Sequence, residues 1–397
     1  MRDEFESFLP IGTKEAKQGN HKDAQSIFKV YSLGLATNRD EWAYAFTSKD
    51  LHTRMNTFIR NYNAEVARYA AEYPVEDLDA FINNSSNFLK WTDRLKESLK
   101  QRVFLKFNSQ QVRPSLYRPF VGKFLYYDQL LNQRRYQQHL IFPPHELNAH
   151  NLVIYVSDKG WRSPFSVLTT DRIGDLHLCA STDGFQSFPL HTYNEDGTNR
   201  RENITDWALA EFRSQYKDKS ITKLDIFHYV YALLHHPTYR ATYAANLKRE
   251  LPRIPFVKSA ADFRSLAVAG GRLADLHVNY EAQPEYPLAR VEQAEAALDW
   301  RVERMRLSKD KTSIVYNDFL TLEGLPAEAF EYRLGNRSAL EWVIDQYQVS
   351  TDKRSGITND PNRADEPDYI VKLIGKVTTV SVETVQIVRS LPELQLS

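Results

Sequence analysis

The sequence predicts an α+β fold: a helical N-terminal part, a small central β region, a helical hairpin module and a C-terminal part of strands and helices, packed as one large unit. Two patterns occupying different parts of the chain carry this reading. Apolar residues recur at helical spacing from Leu51 to Tyr69 and again from Leu224 to Leu234, whereas apolar and polar residues alternate between Asn151 and Tyr193. With 397 residues, 42% of them hydrophobic, the chain is long enough to bury a sizeable core. Changes of pattern divide it at approximate boundaries into a mainly helical subdomain (1–111), a basic, aromatic and β-rich one (112–200), a helical module (201–280) and an α+β subdomain (281–397).

Residues 1–46 carry only strand-like pieces, between Ile27 and Phe46. Ser48 fits a helix cap, and Leu51, Met55, Phe58, Ile59, Tyr62, Val66 and Tyr69 keep one face apolar as far as Pro74, which cannot continue a helix. A second helical pair follows. Its later member, around 88–102, sets Trp91, Leu95 and Leu99 against Lys90, Lys96 and Lys100, a face that meets either solvent or phosphate. From 112 to 136 prolines and aromatics punctuate the chain, and NLVIYVS, FSVLTT and LHLCAS then read as strands, with turns at 158–160 and 183–184. Asn203 and Thr205 open a helix with Trp207, Leu209 and Phe212. TKLD at Thr222 is a capping box whose helix carries Leu224, Phe227, Tyr231 and Leu234 to the break at Pro237, where His235 and His236 suit a helix C-terminus better than a metal. Helices over 239–251 and 260–277, strands over 297–307 and 312–322, a helix after Ser338, a polar loop over 350–366 and helices over 369–376 and 382–391 complete the chain.

Composition excludes several classes. The 51 basic and 51 acidic residues balance, so a nucleic-acid contact has to come from local patches and not from the net field. A single cysteine, Cys179, allows neither an intrachain disulfide nor a multi-cysteine zinc site. No apolar run approaches the length of a membrane-spanning helix, and MRDEFESFLP is too acidic and mixed for a signal peptide, so a cytoplasmic location with no membrane partner is expected.

Two stretches carry candidate chemistry. In FEYRLGNRSALEWVIDQYQV, from Phe330 to Val349, Ser338 and Glu341 have capping-box spacing, and Leu340, Val343, Ile344 and Tyr347 form one apolar face. The other side holds Asn336, Arg337, Asp345, Gln346 and Gln348. Arg matches the major-groove edge of guanine and Asn or Gln that of adenine, although such a face also suits plain solvent. In VRPSLYRPFVGKFLYYDQLLNQRRY, from Val112 to Tyr136, Arg113, Arg118, Lys123, Arg134 and Arg135 are opposed only by Asp128. Cations among aromatics suit a phosphate-lined groove, and the same tyrosines also suit strand cores.

Other motifs are missing. No GxxxxGK[ST] occurs, the only Pro-Pro lies in FPPH at 142–145 without the flanking residues of an adenine-methylating loop, and no acidic pair with lysine marks a nuclease. The histidines of HELNAH, at 145–150, are five apart, about 140° round a helix, and do not share a face for zinc.

The segment 330–349, its continuation STDKRSGITNDPN, the run TTDRIGDLHLCASTDGFQSFPLHTY and the block DIFHYVYALLHHPTYRATYAANLKRELPRIP together resemble the C-terminal specificity region of the Type ISP restriction-modification enzymes. The resemblance covers nearly the whole chain. It implies target recognition on double-stranded DNA, base reading by Asn336, Arg337, Gln346 and Gln348 with Lys353 and Arg354 of the loop, and phosphate contacts from Arg113, Arg118, Lys123, Arg134 and Arg135. It further implies nuclease, helicase and adenine-N6 methyltransferase domains or subunits as partners, with S-adenosylmethionine, ATP and Mg held by those domains and no cofactor in this chain. Whether this polypeptide is itself an enzyme stays open: a site of scattered residues and a non-catalytic interaction scaffold are the alternatives, told apart by a narrow polar pocket or a flat apolar patch in place of a basic groove.

Overall fold

The structure, a computed structural model, describes residues 2–17, 25–143 and 151–397. The HELNAH motif and the second proline of FPPH lie outside the described residues. Thr47, one residue ahead of the expected Ser48, is extended and accepts the Asp50 amide, which starts α1 (Ser48–Ala71). The seven apolar residues expected on one face of α1 are all buried. Thr92 caps α2 (Asp93–Lys100) and so shortens the expected 88–102 helix; Leu95 and Leu99 pack on α1 in a core that also takes Trp42 and Tyr126. The lysine face is solvated and ion-paired, with Lys90 3.7 Å from Glu41 and Lys96 2.5 Å from Asp79.

The strands of the central region are β1 (Ser32–Leu33), β2 (Tyr44–Ala45), β3 (Val112–Arg118), β4 (Val121–Tyr126), β5 (Val153–Ser157), β6 (Val167–Thr170), β7 (Ile173–Gly174) and β8 (Phe185–Pro189). One antiparallel sheet runs β1, β8, β5, β6, with Ile154 opposite Phe188 and Thr169. A second runs β2, β4, β3, β7, antiparallel except for the parallel pair β3 and β7. β5, β6 and β8 are buried along their length, because helices cover one face and the second core the other. LHLCAS, expected as a strand, is a turn segment: the Asp175 carboxylate accepts the His177 amide at 2.9 Å and bends the chain, and the strand forms nine residues later in FQSFP.

In the helical module, α3 (Asp206–Tyr216) is capped by Thr205 and α4 (Lys223–His235) has the expected capping box of Thr222 and Asp225. Leu224, expected on the apolar face, is 43% exposed, whereas Lys223 and Ile226 of the same turn are buried. The single helix expected over 239–251 is two, α5 (Pro237–Thr242) and α6 (Ala244–Arg249), broken at Tyr243. His235 Nδ1 bonds the Tyr231 carbonyl at 2.9 Å near the end of α4, and His236 caps the start of α5. α7 (Ala260–Val278) crosses α4 at Gly270, where a Cβ would lie 1.9 Å from the His228 carbonyl oxygen.

The C-terminal sheet has the order β9 (Ala289–Glu292), β12 (Leu320–Glu323), β11 (Ser313–Val315), β10 (Arg306–Leu307). Only the last two residues of the expected 297–307 strand pair, because Asn317 and Asn362 side chains take the backbone groups of Asp299, Arg301 and Val302. A tight hairpin of Arg333–Leu334 and Arg337–Ser338 leads into α8 (Ala339–Gln346). The two final helices expected are one, α9 (Tyr369–Arg389): Thr378 and Ser381 return their hydroxyls to the carbonyls of Ile374 and Val377, both at 2.7 Å, so the β-branched run between them stays helical. α8 and α9 bury their apolar faces with β3, β4 and β5 in one shared core.

Candidate nucleic-acid interface

The hairpin before α8 is shaped by Gly335, which has φ +66° and sits where a Cβ would lie 2.1 Å from the Cys179 carbonyl oxygen. Its amide donates to Ser166 Oγ at 2.6 Å. Ser338 and Glu341 form the expected capping box, and Leu340, Val343, Ile344 and Tyr347 are buried as expected. With that face anchored, the polar side gathers round Asp345. Arg337 Nη1 donates to Asp345 Oδ2 at 3.0 Å and its guanidinium lies over the Trp342 ring at 4.8 Å, while Gln346 Nε2 donates to the same carboxylate oxygen at 2.8 Å. Gln348 Nε2 donates to the Ile344 carbonyl at 2.6 Å, and Asn336 Nδ2 reaches Ser163 Oγ at 3.4 Å. Asn336, Arg337 and Gln348 line one shallow depression of about 380 Å3 together with Lys311, Arg333 and Glu341. Lys311 and Arg333 had no sequence signal; Lys311 lies on another turn and reaches Glu341 at 2.8 Å.

Lys353 and Arg354 are exposed on a separate hairpin, Ser350–Thr351 paired with Thr358–Asn359. Asp352 accepts the amides of Arg354 and Ser355, and Arg54 of α1 holds the far strand through the Asn359 side chain and the Thr358 carbonyl. The loop is thereby presented on two sides by side-chain bonds.

The five cations of the 112–136 stretch divide. Arg118, 11% exposed, pairs with buried Asp175 at 2.8 Å, and Tyr44 donates to the other carboxylate oxygen. Burial opposes the charge on Arg118, but Asp175 and Tyr117 beside it hold its pKa above the usual value. Arg113 donates to the Pro143 carbonyl at 2.9 Å, and burial lowers its pKa. The Lys123 ammonium sits 4.0 Å from the Tyr117 ring centroid and 4.6 Å from that of Phe46, and burial together with nearby Arg118 pushes its pKa down to about 7. These three side chains point into the protein. Arg134 is exposed, and Arg135 reaches Glu195 at 3.5 Å. Both line a cleft of about 590 Å3 with Arg94 and His139. Neither of those two was expected from sequence, because α2 and the turn at Gln138–Leu140 meet the arginines only in the fold; Arg94 is oriented by the Gln129 carbonyl at 2.7 Å.

The chain has no Walker-type loop, and among the described residues no three His, Cys, Asp or Glu side chains are grouped to hold a metal. Among the same residues no helix is long and apolar enough to cross a membrane.

The model of the Type ISP C-terminal specificity domain matches residues 26–373. The structure of a nuclease-deletion mutant of the Type ISP restriction-modification enzyme LlaGI with a DNA substrate mimic superimposes with a TM-score of 0.86 at 32% identity, over 99% of this chain and 35% of that one. The ATP-dependent Type ISP enzyme LlaBIII bound to DNA gives 0.85 at 31% identity, over 99% and 24%. A DrdV–DNA complex gives 0.87 at 36% identity, over 99% and 39%. The chain therefore spans 24% to 39% of the length of these three. No individually curated protein matches.

Proposed function

The chain belongs to the family of Type ISP C-terminal specificity domains, and on that premise we propose that it reads a specific sequence in double-stranded DNA and orients the duplex for adenine-N6 methylation and cleavage by other domains or subunits. The observation that carries the proposal is the cluster round Asp345. A guanidinium placed over Trp342 and steered by a carboxylate, with three side-chain amides beside it, is a preorganised set of donors and acceptors gathered from both ends of one short helix. Arg337 reads a guanine edge, and Asn336, Gln346 and Gln348 read adenine or take water bridges, with Lys353 and Arg354 contributing from the neighbouring hairpin. The cleft with Arg94, Arg134, Arg135 and His139 takes backbone phosphates, which supply affinity without sequence information. Arg113, Arg118 and Lys123 act one layer down: their intramolecular partners hold the hairpin of β3 and β4, from which the chain runs on to Arg134 and Arg135. S-adenosylmethionine, ATP and Mg belong in this reading to the partner domains.

Selection of bound duplexes from a random pool at low salt tests the proposal, alone and with an adenine methyltransferase subunit from the same genome. An enriched motif containing an adenine is expected. Absence of enrichment in both arms, with a folded sample, contradicts it.

A further inference from the structure

Gln186 stands on β8 opposite Leu33 and Val156 and is 4% exposed, yet its Oε1 has no hydrogen-bond partner. Native proteins leave few buried polar atoms unpaired, and one that borders a cleft is a candidate contact for what enters it. Gln186 forms part of the wall of a second cleft, about 590 Å3, formed by residues near the N-terminus, the end of β5 and the chain after α6. That volume is ordinary for a small-molecule site. The wall beside Gln186 is rigid: the Tyr31 ring stacks on Phe188 with centroids 5.0 Å apart, and Gly12 approaches so closely that a Cβ there would touch Tyr31 at 2.8 Å. The cleft is also lined by Lys14, Lys159 and Arg249, all exposed. Among the described residues none of these three forms an ion pair. Of the two carboxylates in the lining, Glu250 is taken by Arg253 at 3.2 Å, which leaves Asp158 against three unneutralised cations.

A buried amide without a partner on a stiff wall, with cations around it, fits a ligand with a planar polar edge at one end and an anion at the other. We infer that this cleft binds a nucleotide, the edge of its base hydrogen-bonded by the Gln186 side-chain amide and its phosphate held by Lys14, Lys159 and Arg249. The inference does not rest on the duplex-reading proposal, since the cleft shares no residue with the Asp345 cluster or with the arginine cleft. The nucleotide comes either free or as the 5′-phosphorylated end of a single strand.

Calorimetric titration of the full chain with 5′-dAMP, deoxyadenosine, inorganic phosphate and a 5′-phosphorylated oligo-dA tests it. The mononucleotide is expected to bind at least tenfold more tightly than either the nucleoside or phosphate alone. Gln186→Met, which keeps the volume and removes the amide, is expected to reduce its affinity at least tenfold. The exposed double variant Lys159→Ala/Arg249→Ala, which leaves the core untouched, is expected to reduce it to that of the nucleoside. Tighter binding of the oligonucleotide than of dAMP, abolished by the same substitutions, assigns the site to a strand end; equal or weaker binding assigns it to the free nucleotide. No binding of dAMP or oligonucleotide, or affinities indifferent to both variants, overturns the inference.

Discussion

The His277 imidazole stacks on the Tyr332 ring with planes 4° apart and centroids 5.1 Å apart, joining the end of α7 to the residue that precedes the Arg333–Ser338 hairpin. His277 also bonds Tyr231 and, at 2.9 Å, Thr384 of α9, and His235 lies 5.7 Å away ring to ring. Burial lowers the pKa of His277 to about 3; burial, Arg240 and His277 lower that of His235 well below its usual value. Both histidines are therefore held neutral in the fold and charge more readily when unfolded. Their contribution is complete above about pH 6.5 and declines as pH falls toward the folded values, by about 1.4 kcal/mol per pH unit for each group. Urea unfolding is expected to show about 2 kcal/mol lost per histidine between pH 7 and pH 5, and His277→Gln is expected to remove about half of that dependence. A stability that is flat over this range contradicts the assignment.

Removing Arg118 leaves Asp175, a carboxylate 3% exposed, without its cation. Arg118→Ala is expected to destabilise the fold by about 3–5 kcal/mol, the range for breaking one side of a buried pair. The double variant Arg118→Met/Asp175→Asn is expected to recover much of this. Thermal or denaturant unfolding checks both, and a near-neutral Arg118→Ala would return that arginine to the surface phosphate role.

Much of the local structure was legible because it is written in short-range chemistry. The capping boxes at Thr222 and Ser338 and the apolar faces of α1 and α8 follow from spacing alone, and the structure has them. The misreadings share a cause in tertiary context. LHLCAS alternates like a strand but bends round Asp175, 297–305 loses its backbone groups to two asparagines, and α9 runs through a β-branched stretch because its hydroxyls are satisfied internally. For the site, the sequence brought together Asn336, Arg337, Gln346 and Gln348, which the hairpin before α8 and the end of α8 place round Asp345. It grouped Arg113, Arg118 and Lys123 with Arg134 and Arg135 by charge; which arginines turn inward depends on Asp175, Pro143 and two aromatic rings remote in sequence. Arg94 and His139 join the outward pair only through folding.

Arg134→Ala is expected to weaken binding to every duplex alike and to reduce the slope of log affinity against log salt by about 1, because one released counterion is lost and no base edge is touched. Fluorescence anisotropy over a salt series on matched and scrambled duplexes measures this; a loss confined to one sequence would make Arg134 a base reader.

Gly335→Ala places a methyl group against the Cys179 carbonyl at a backbone φ of +66°. A loss of more than about 1 kcal/mol in stability is expected from the left-handed backbone alone. Because the hairpin it would distort carries Arg337, sequence discrimination is expected to fall even where the variant remains folded, as measured by competition between matched and scrambled duplexes.

The claim that the Asp345 cluster reads bases is tested most directly by comparing the motif selected from random duplexes by the native chain with that selected by Arg337→Ala. The account predicts the same motif with one guanine-bearing position relaxed by about 1–3 kcal/mol and the other positions unchanged. An identical motif, or a uniform loss at every position, would contradict base reading by Arg337.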